Sequence, residues 1–198
     1  LTLFGANLSG NRPGLFYHTI GNNGAAYSTY NRIGKIGEGI APIHPDLVII
    51  SLGTNEAFGR SNAGSIKNEI DRLVKDIRHA NPETAILLVT PMECQRIVYT
   101  TVKGRKKKGR RRRSSRRVKG YSVNDNVERV RDVIVNYGKE NHIPVYDWYT
   151  VAGGDGASNK WIKDGLCSGD RIHHSIKGYK LQGLLMYQAL REAFSQSK

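Results

Sequence analysis

The 198 residues are enough for one compact domain and too few for two domains of ordinary size. Hydrophobic residues make up 38% and charged residues 24%, which is typical of a globular protein. The formal charge of +14 would indicate a nucleic-acid-binding protein, but twelve Lys and Arg residues lie within 103–119 and the rest of the chain carries only +2. No run of about 18 apolar residues occurs, so the sequence predicts no membrane-spanning helix.

Predicted strands and helices alternate along the chain. Continuous apolar runs predict strands at 15–20, 47–52, 85–90 and 144–148. Apolar residues at helical spacing predict helices at 25–33, 65–80, 127–137 and 176–194. This order predicts a three-layer α/β/α fold, flavodoxin-like, with a parallel sheet and helices on both faces. Ligands of such folds bind beyond the carboxyl ends of the strands, so the loops after these four strands are expected to crowd together.

Three finer expectations concern burial and capping. The β-branched run from Leu47 predicts a strand buried on both faces. Asn124 or Asn126 is expected to cap the third helix. The last helix is expected to bury four leucines, namely Leu181, Leu184, Leu185 and Leu190.

The segment from Ser168 to His173 directly precedes the last predicted helix. An Asp three residues before a His can reach the imidazole across one tight turn, and it can stabilise the imidazolium that forms when Nε2 takes a proton. The spacing favours Asp170 and His173 as catalytic residues, with His173 rather than His174 as the base. A loop Asp that caps the helix beside a surface His is the alternative, and spacing alone leaves it open.

Two further loops carry groups suited to negative charge. Asn55 follows a predicted strand, and its amide can donate to an oxyanion without deprotonation. The Gly-Asn-Asn-Gly turn at 21–24 opens a helix, where a backbone N–H favours developing negative charge. Each feature alone is also typical of an ordinary turn. Their order with the Asp–His pair, each beside a predicted strand, favours a hydrolytic site.

With these motifs in this order, residues 15–195 resemble the SGNH hydrolase superfamily, whose blocks supply Ser, Gly, Asn and His with an Asp three residues before the His. The resemblance implies that Gly24 and Asn55 form an oxyanion hole and that Asp170 and His173 are catalytic. No phosphate loop or dinucleotide fingerprint occurs, and the other histidines lack paired ligand spacing, so no cofactor and no metal are expected.

A closer likeness is to the peptidoglycan O-acetylesterase branch and related proteins of Bacteroidetes-type bacteria, through residues 21–25, 53–56 and 146–161. It implies an esterase that removes O-acetyl groups from a bacterial cell-wall or other carbohydrate, in the periplasm or at the cell surface. Some members carry an inserted β-rich module after the nucleophile block. Residues 1–14 are therefore expected to be the tail of such a module or of an upstream strand, and 15–198 the hydrolase-like domain.

The chain departs from this pattern at the nucleophile. No Gly-Asp-Ser occurs, Ser9 and Ser168 lack the required context, and Ser51 is expected to point from inside a strand. Glu56 stands where many relatives have Asp. We expect the nucleophilic Ser to lie outside this chain, which alone would be nearly inert. The alternative is a non-catalytic SGNH-like module that binds a glycan or polyanion.

The basic segment 103–119 is expected to be a solvated, mobile loop that overhangs the site and attracts an anionic glycan through its charge. No aromatic residue lies between Tyr99 and Tyr121. The segment therefore lacks a stacking platform, which argues against sequence-specific nucleic-acid binding.

Other side chains leave alternatives open. Trp148, Tyr149 and Trp161 are expected either to line a sugar-binding cleft or to form aromatic core. Cys94 and Cys167 are expected to be two free thiols or a single bridge, and they lack metal-ligand spacing.

Overall fold

The computed structural model describes residues 14–104 and 115–196. In chain order the elements are α1 (Tyr27–Ile33), α2 (Ile36–Ile40), a 3-10 turn (Ala41–Ile43), β1 (Leu47–Ser51), α3 (Thr54–Phe58), α4 (Ala63–Ala80), β2 (Ala85–Val89), β3 (Gln95–Lys103), β4 (Ser115–Val123), α5 (Asn126–Glu140), β5 (Val145–Tyr146), α6 (Trp148–Val151), α7 (Ala157–Lys163) and α8 (Ile176–Gln196).

A parallel sheet of three strands lies at the centre. β1 pairs with β2 along its whole length, and β5 pairs with the last two residues of β2. The strand order β1-β2-β5 puts β1 at one edge. Because the strands are parallel, the loops that follow them all leave from the same edge of the sheet.

Helices cover both faces of this sheet because successive strand residues point to opposite sides. Ile50 and Leu88 join a core formed with α1, α4 and α5, whose buried residues there are Tyr27, Ile66, Ile70, Leu73, Val74, Ile77, Val127, Val130, Ile134 and Tyr137. Val89 joins a second core with Trp148 and Trp161, against which Leu181 and Leu185 of α8 pack. The predicted three-layer α/β/α fold is confirmed.

The N-terminal strand predicted at 15–20 is wrong. These residues form no strand, and Leu15 is 92% exposed, because no strand of the described residues pairs with them. The expectation for β1 is also corrected. Its position at the sheet edge leaves Leu47 and Ser51 exposed, so the strand is not buried on both faces.

The burial predicted for α8 holds only in part. Leu181, Leu185 and Leu190 are half-buried, but Leu184 is 52% exposed because the helix contacts the second core along one side. Although α8 has 21 residues, no helix in the described ranges is both long and apolar enough to cross a membrane.

The capping predicted for α5 holds only in part. The N-cap position is Asp125, whose own side chain makes no capping bond, while Oδ1 of Asn124 accepts from the backbone N–H of Asn126, the first residue of α5, at 3.4 Å. The side chain of Asn124 is buried, and its Nδ2 donates to the carbonyl oxygen of Ala57 at 3.1 Å. Asn124 therefore ties the start of α5 to α3.

An antiparallel hairpin replaces part of the predicted basic loop. β3 and β4 pair from Gln95↔Val123 to Lys103↔Ser115. Residues 103 and 115–119 therefore lie in strands, and 105–114 lie outside the described residues. The reason is the β-branched and aromatic content of both segments, which favours extended backbone.

Candidate active site

The loop between α7 and α8 folds back on itself. The backbone N–H of Ser168 donates to the His173 carbonyl at 2.8 Å, and that of Ser175 donates to Leu166 at 2.8 Å. Arg171, at the tip, has a left-handed backbone with a φ of 62°. This tight turn brings the side chain of Asp170 back onto that of His173.

Asp170 and His173 form a hydrogen-bonded pair, with Oδ2 2.6 Å from Nδ1. Oδ1 of Asp170 accepts from the Ser168 hydroxyl at 2.5 Å and from the backbone N–H groups of Ile172 and His173 at 2.9 and 3.0 Å. Partial burial raises the pKa of Asp170, but the hydrogen bonds from His173, Ser168 and the backbone outweigh it and hold the pKa well below the usual range. An ionised Asp170 keeps the proton on Nδ1, so Nε2 of His173 is the atom able to accept one.

The adjacent histidine has a different environment. The ring of His174 lies 4.9 Å from that of Trp161 and 5.1 Å from that of Tyr179, between centroids. Burial, and then the nearby His173, lower the pKa of His174. A neutral His174 packed among aromatic rings is suited to support the loop, whereas the side chain of His173 is 59% exposed.

Asn55 lies in the first turn of α3, just after β1. Its Nδ2 donates to the carbonyl oxygen of Ala25 at 2.7 Å. Ala25 directly follows Gly24, whose backbone is left-handed with a φ of 73°. The neighbouring Glu56 is buried and accepts from the backbone N–H of Tyr27 at 2.6 Å. These two bonds hold the Gly24 turn against α3, so Gly24 and Asn55 are brought together.

Hydrogen bonds link the loops at the carboxyl edge of the sheet. Beyond β2, the backbone N–H of Gln95 donates to the Arg171 carbonyl at 3.0 Å, which attaches the Asp–His loop. The backbone N–H of Asn124 donates to the Cys94 carbonyl at 3.0 Å. No hydrogen bond within residues 14–104 and 115–196 joins His173 to Asn55 or Gly24. The Asp170–His173 pair and the Gly24–Asn55 pair therefore lie at the same edge of the sheet and are not hydrogen-bonded to each other.

Sequence reasoning missed two buried polar residues that support this edge. Both carboxylate oxygens of Glu93 accept hydrogen bonds at the start of α7, from Ser158 and from the backbone of Gly156. The amide of Gln95 donates to Asn159 at 2.8 Å, and its oxygen accepts from Arg171 at 2.9 Å. The available signal was a pair of polar residues four and six positions after the end of β2, but they match no motif.

Trp148, Tyr149 and Trp161 are buried, with exposed fractions of 2%, 7% and 4%. Trp148 packs edge-on against Trp161 with ring centroids 5.5 Å apart, and Nε1 of Trp161 donates to the Ala152 carbonyl at 2.9 Å. Of the two expectations for these residues, the structure favours aromatic core. Their burial argues against a sugar-binding role, because it leaves little ring surface for a ligand to contact. Rings of this size stabilise the folded protein when they are removed from water.

Within the described residues, no serine hydroxyl is hydrogen-bonded to the imidazole of His173. Ser168 donates to Asp170 instead. Ser51 is the last residue of β1 and pairs with Val89, so it lies in a strand as expected, and it is exposed. Ser9 lies outside the described residues. Cys94 and Cys167 are both free thiols.

A second charged network lies at the same edge. Asp147, directly after β5, accepts from Nε of Arg131 at 3.0 Å and from the hydroxyls of Thr150 and Thr90 at 2.7 and 2.9 Å. Partial burial raises the pKa of Asp147, but the bonds from Arg131, Thr150 and Thr90 outweigh it and lower the pKa to about 2. The network joins α5 to the loops after β2 and β5.

We expect Asp147→Asn to reduce the acid sensitivity of folding. A carboxylate whose folded pKa lies below its unfolded value stabilises the fold above the unfolded pKa, and this stabilisation is lost as pH falls toward the folded pKa. The urea midpoint of the unmodified protein should therefore fall between about pH 5 and about pH 2.5 by more than that of the variant. Asp164→Asn, which removes an exposed carboxylate, is the control and should retain the full drop.

A three-layer α/β/α fold with an Asp–His pair beyond the carboxyl edge of its parallel sheet is the arrangement of an SGNH-type hydrolase. A model of the GDSL-like lipase/acylhydrolase family matches residues 3–181, and the chain belongs to that family. No curated protein sequence matches it.

Solved structures share the fold. A peptidoglycan O-acetylesterase superposes with a TM-score of 0.69 at 21% identity, covering 88% of this chain and 45% of its own. An acetyl xylan esterase gives 0.57 at 14% identity, covering 86% and 78%. An acylhydrolase candidate from Bacteroides fragilis NCTC 9343 gives 0.55 at 18% identity, covering 86% and 72%. The chain thus spans just under half the length of the peptidoglycan O-acetylesterase.

Proposed function

We propose that this chain contributes the base and the oxyanion hole of an esterase that removes O-acetyl groups from a carbohydrate. The observation that carries the proposal is the Asp170–His173 pair, 2.6 Å apart, in the loop before α8 of an acylhydrolase-family fold. Four hydrogen bonds to the Asp170 carboxylate keep it ionised, which is the state needed to orient an imidazole base.

In the proposed reaction, a serine Oγ attacks the acetyl carbonyl while Nε2 of His173 takes the hydroxyl proton. The carbonyl oxygen becomes an oxyanion, which accepts from the backbone N–H of Gly24 and the amide of Asn55. One amide hydrogen of Asn55 is used on Ala25, and we assign the other to the oxyanion. His173 returns its proton to the leaving sugar oxygen, and water then releases acetate from the serine by the same route.

We place the serine outside residues 1–198, in agreement with the absence of Gly-Asp-Ser from the sequence. Residues 15–198 would then be the hydrolase domain, and 1–14 the tail of an upstream strand or module. Two surfaces support this division. β1 lies at the sheet edge, and α8 exposes Tyr187 and Ile176 at 60% and 79%. In this proposal, further chain covers both surfaces and completes the sheet.

The proposed substrate is an acetylated bacterial cell-wall polymer or a similar glycan, met in the periplasm or at the cell surface. Two proteins of the same fold, a peptidoglycan O-acetylesterase and an acetyl xylan esterase, support a carbohydrate substrate. Their different polymers leave the acetyl ester of a sugar hydroxyl as the shared chemistry.

A second candidate is a non-catalytic glycan- or polyanion-binding module. It is favoured by the basic hairpin beside the site and by the lack, within the described residues, of a serine hydroxyl bonded to the His173 imidazole.

Acetate release separates these functions. The protein encoded by the complete open reading frame and the chain of residues 1–198 would each be incubated with an aryl acetate and with acetylated peptidoglycan. We expect the longer protein to release acetate and the shorter one to be nearly inert, because the oxyanion hole alone supplies only residual catalysis. An upstream reading frame without Gly-Asp-Ser, together with inactivity of both proteins, would favour the binding module. Release by the shorter chain that is lost in His173→Ala would place the nucleophile within it and exclude the binding module.

A further inference from the structure

The pairing of β3 with β4 sorts the hairpin side chains onto two faces. Directly opposed residues of an antiparallel pair share a face, and faces alternate along each strand. One face, here called the tyrosine face, carries five opposed pairs: Gln95–Val123, Ile97–Tyr121, Tyr99–Lys119, Thr101–Arg117 and Lys103–Ser115. The other, the valine face, carries Arg96–Ser122, Val98–Gly120, Thr100–Val118 and Val102–Arg116.

Cations and aromatic rings interleave on the tyrosine face. The guanidinium of Arg117 lies over the Tyr99 ring at 4.7 Å, and the ammonium of Lys119 lies over the Tyr121 ring at 5.4 Å. Such contacts orient long basic side chains along the face. Tyr99 and Tyr121 are 22 positions apart in sequence, so only the hairpin pairing brings them onto one surface.

This face leads to the Asp–His loop. The guanidinium of Arg171 lies over the Tyr121 ring at 3.9 Å, and its Nη1 donates to Gln95, the first residue of β3, at 2.9 Å. Arg171 is the residue directly after Asp170 and two before His173. The tyrosine face and the catalytic pair are therefore parts of one continuous surface.

The positive charge of the hairpin is not compensated within the described residues. β3 and β4 contain five basic side chains and no Asp or Glu, and none of the five forms an ion pair in the described part of the chain: Arg96, Lys103, Arg116, Arg117 and Lys119. All five are exposed. Arg117 and Lys119 are two residues apart on one strand, so the cations repeat at about 7 Å. A repeating anion can engage several of them at once.

We infer that the tyrosine face is a binding track for an acetylated polysaccharide that carries carboxylate groups, and that the track guides the polysaccharide to His173. The inference rests on the proposed function, because that function makes His173 the point where the ester is cleaved. Basic side chains bind the carboxylates, while the hydroxyls of Thr101 and the tyrosines bind sugar hydroxyls. One cation already lies over the Tyr99 ring and two lie over the Tyr121 ring, which favours a sugar chain over stacked nucleic-acid bases.

Matched charge variants test the track. Arg117→Gln with Lys119→Gln removes two charges from the tyrosine face, and Arg96→Gln with Arg116→Gln removes the same number from the valine face. Binding of the 198-residue chain to polygalacturonate would be measured by calorimetry at several salt concentrations, with dextran as the neutral probe. We expect the tyrosine-face variant to weaken binding roughly tenfold or more and to flatten its salt dependence, and the valine-face variant to weaken it about twofold.

Equal losses in the two variants would show that total charge alone matters and would overturn the track. Failure of the unmodified chain to bind polygalacturonate would also overturn it, as would tighter binding of single-stranded DNA than of the polysaccharide. Circular dichroism of both variants controls for folding of the hairpin. The measurement requires no catalysis, so a failed track leaves the esterase assay with aryl acetate unaffected, and a failed esterase assay leaves the binding result readable.

Discussion

Replacing His173 by Ala in the protein with its upstream serine is expected to lower kcat/KM for an aryl acetate by about 10³-fold or more. The reason is that, within residues 14–104 and 115–196, no other side chain bonded to Asp170 can take a proton from a serine hydroxyl. Ser168 is itself a donor to the carboxylate, and the remaining partners are backbone N–H groups. Asp170→Asn should also cause a large loss, since an amide in place of the carboxylate no longer holds the proton on Nδ1.

The control for this measurement is His79→Ala, which removes an exposed imidazole from α4, remote in sequence from the loop. It should keep kcat/KM within about twofold of the unmodified enzyme, as is usual for surface positions. Unfolding midpoints of both variants separate loss of chemistry from loss of fold. Retention of most activity in His173→Ala would contradict the assignment of His173 as the base. His174 would then be the next candidate for the base.

The Asp–His pair could be predicted from sequence because its geometry is local. Asp170 and His173 are three residues apart in one turn, and their contact depends on that turn alone. The contact between Asn55 and the Gly24 turn spans 30 residues, and only the order of motifs along alternating strands suggested it. Placement of groups at the carboxyl edge follows from parallel topology, so this level of the site is accessible without coordinates.

Burial and the hairpin were harder to predict because both depend on distant partners. Leu15 and Leu184 have apolar side chains typical of core residues, yet both are exposed, because a side chain is buried only where another surface covers it. Strand β4 was not predicted because the many basic residues of 103–119 indicated a solvated loop. The alternation of the tyrosine face becomes visible only once β3 supplies the register. For Trp148 and Trp161 the sequence left two locations open, because aromatic residues in such a segment are as typical of a ligand-binding cleft as of a core.

Gly178→Ala is expected to lower the free energy of unfolding by about 3 kcal/mol, as overpacking of a close contact does. Gly178 is the buried glycine at the start of α8, where the helix touches the backbone before the Asp–His loop. A Cβ there would overlap the carbonyl oxygen of Leu166 and lie 3.1 Å from Cβ of His174. The same Leu166 carbonyl accepts from Ser175, so relief of the overlap must disturb the loop that holds His173.

Gly183→Ala is the matched control within the same helix. A Cβ at Gly183 meets nothing within 4 Å, so this substitution gains helix propensity without a clash and should raise the free energy of unfolding by about 0.5 to 1 kcal/mol. Urea unfolding of the two variants gives the comparison directly. If Gly178→Ala were as stable as Gly183→Ala, the close approach of α8 to Leu166 would be wrong. The position of the Asp–His loop against α8 would then need another explanation, because that approach is what fixes the loop's distance from the helix.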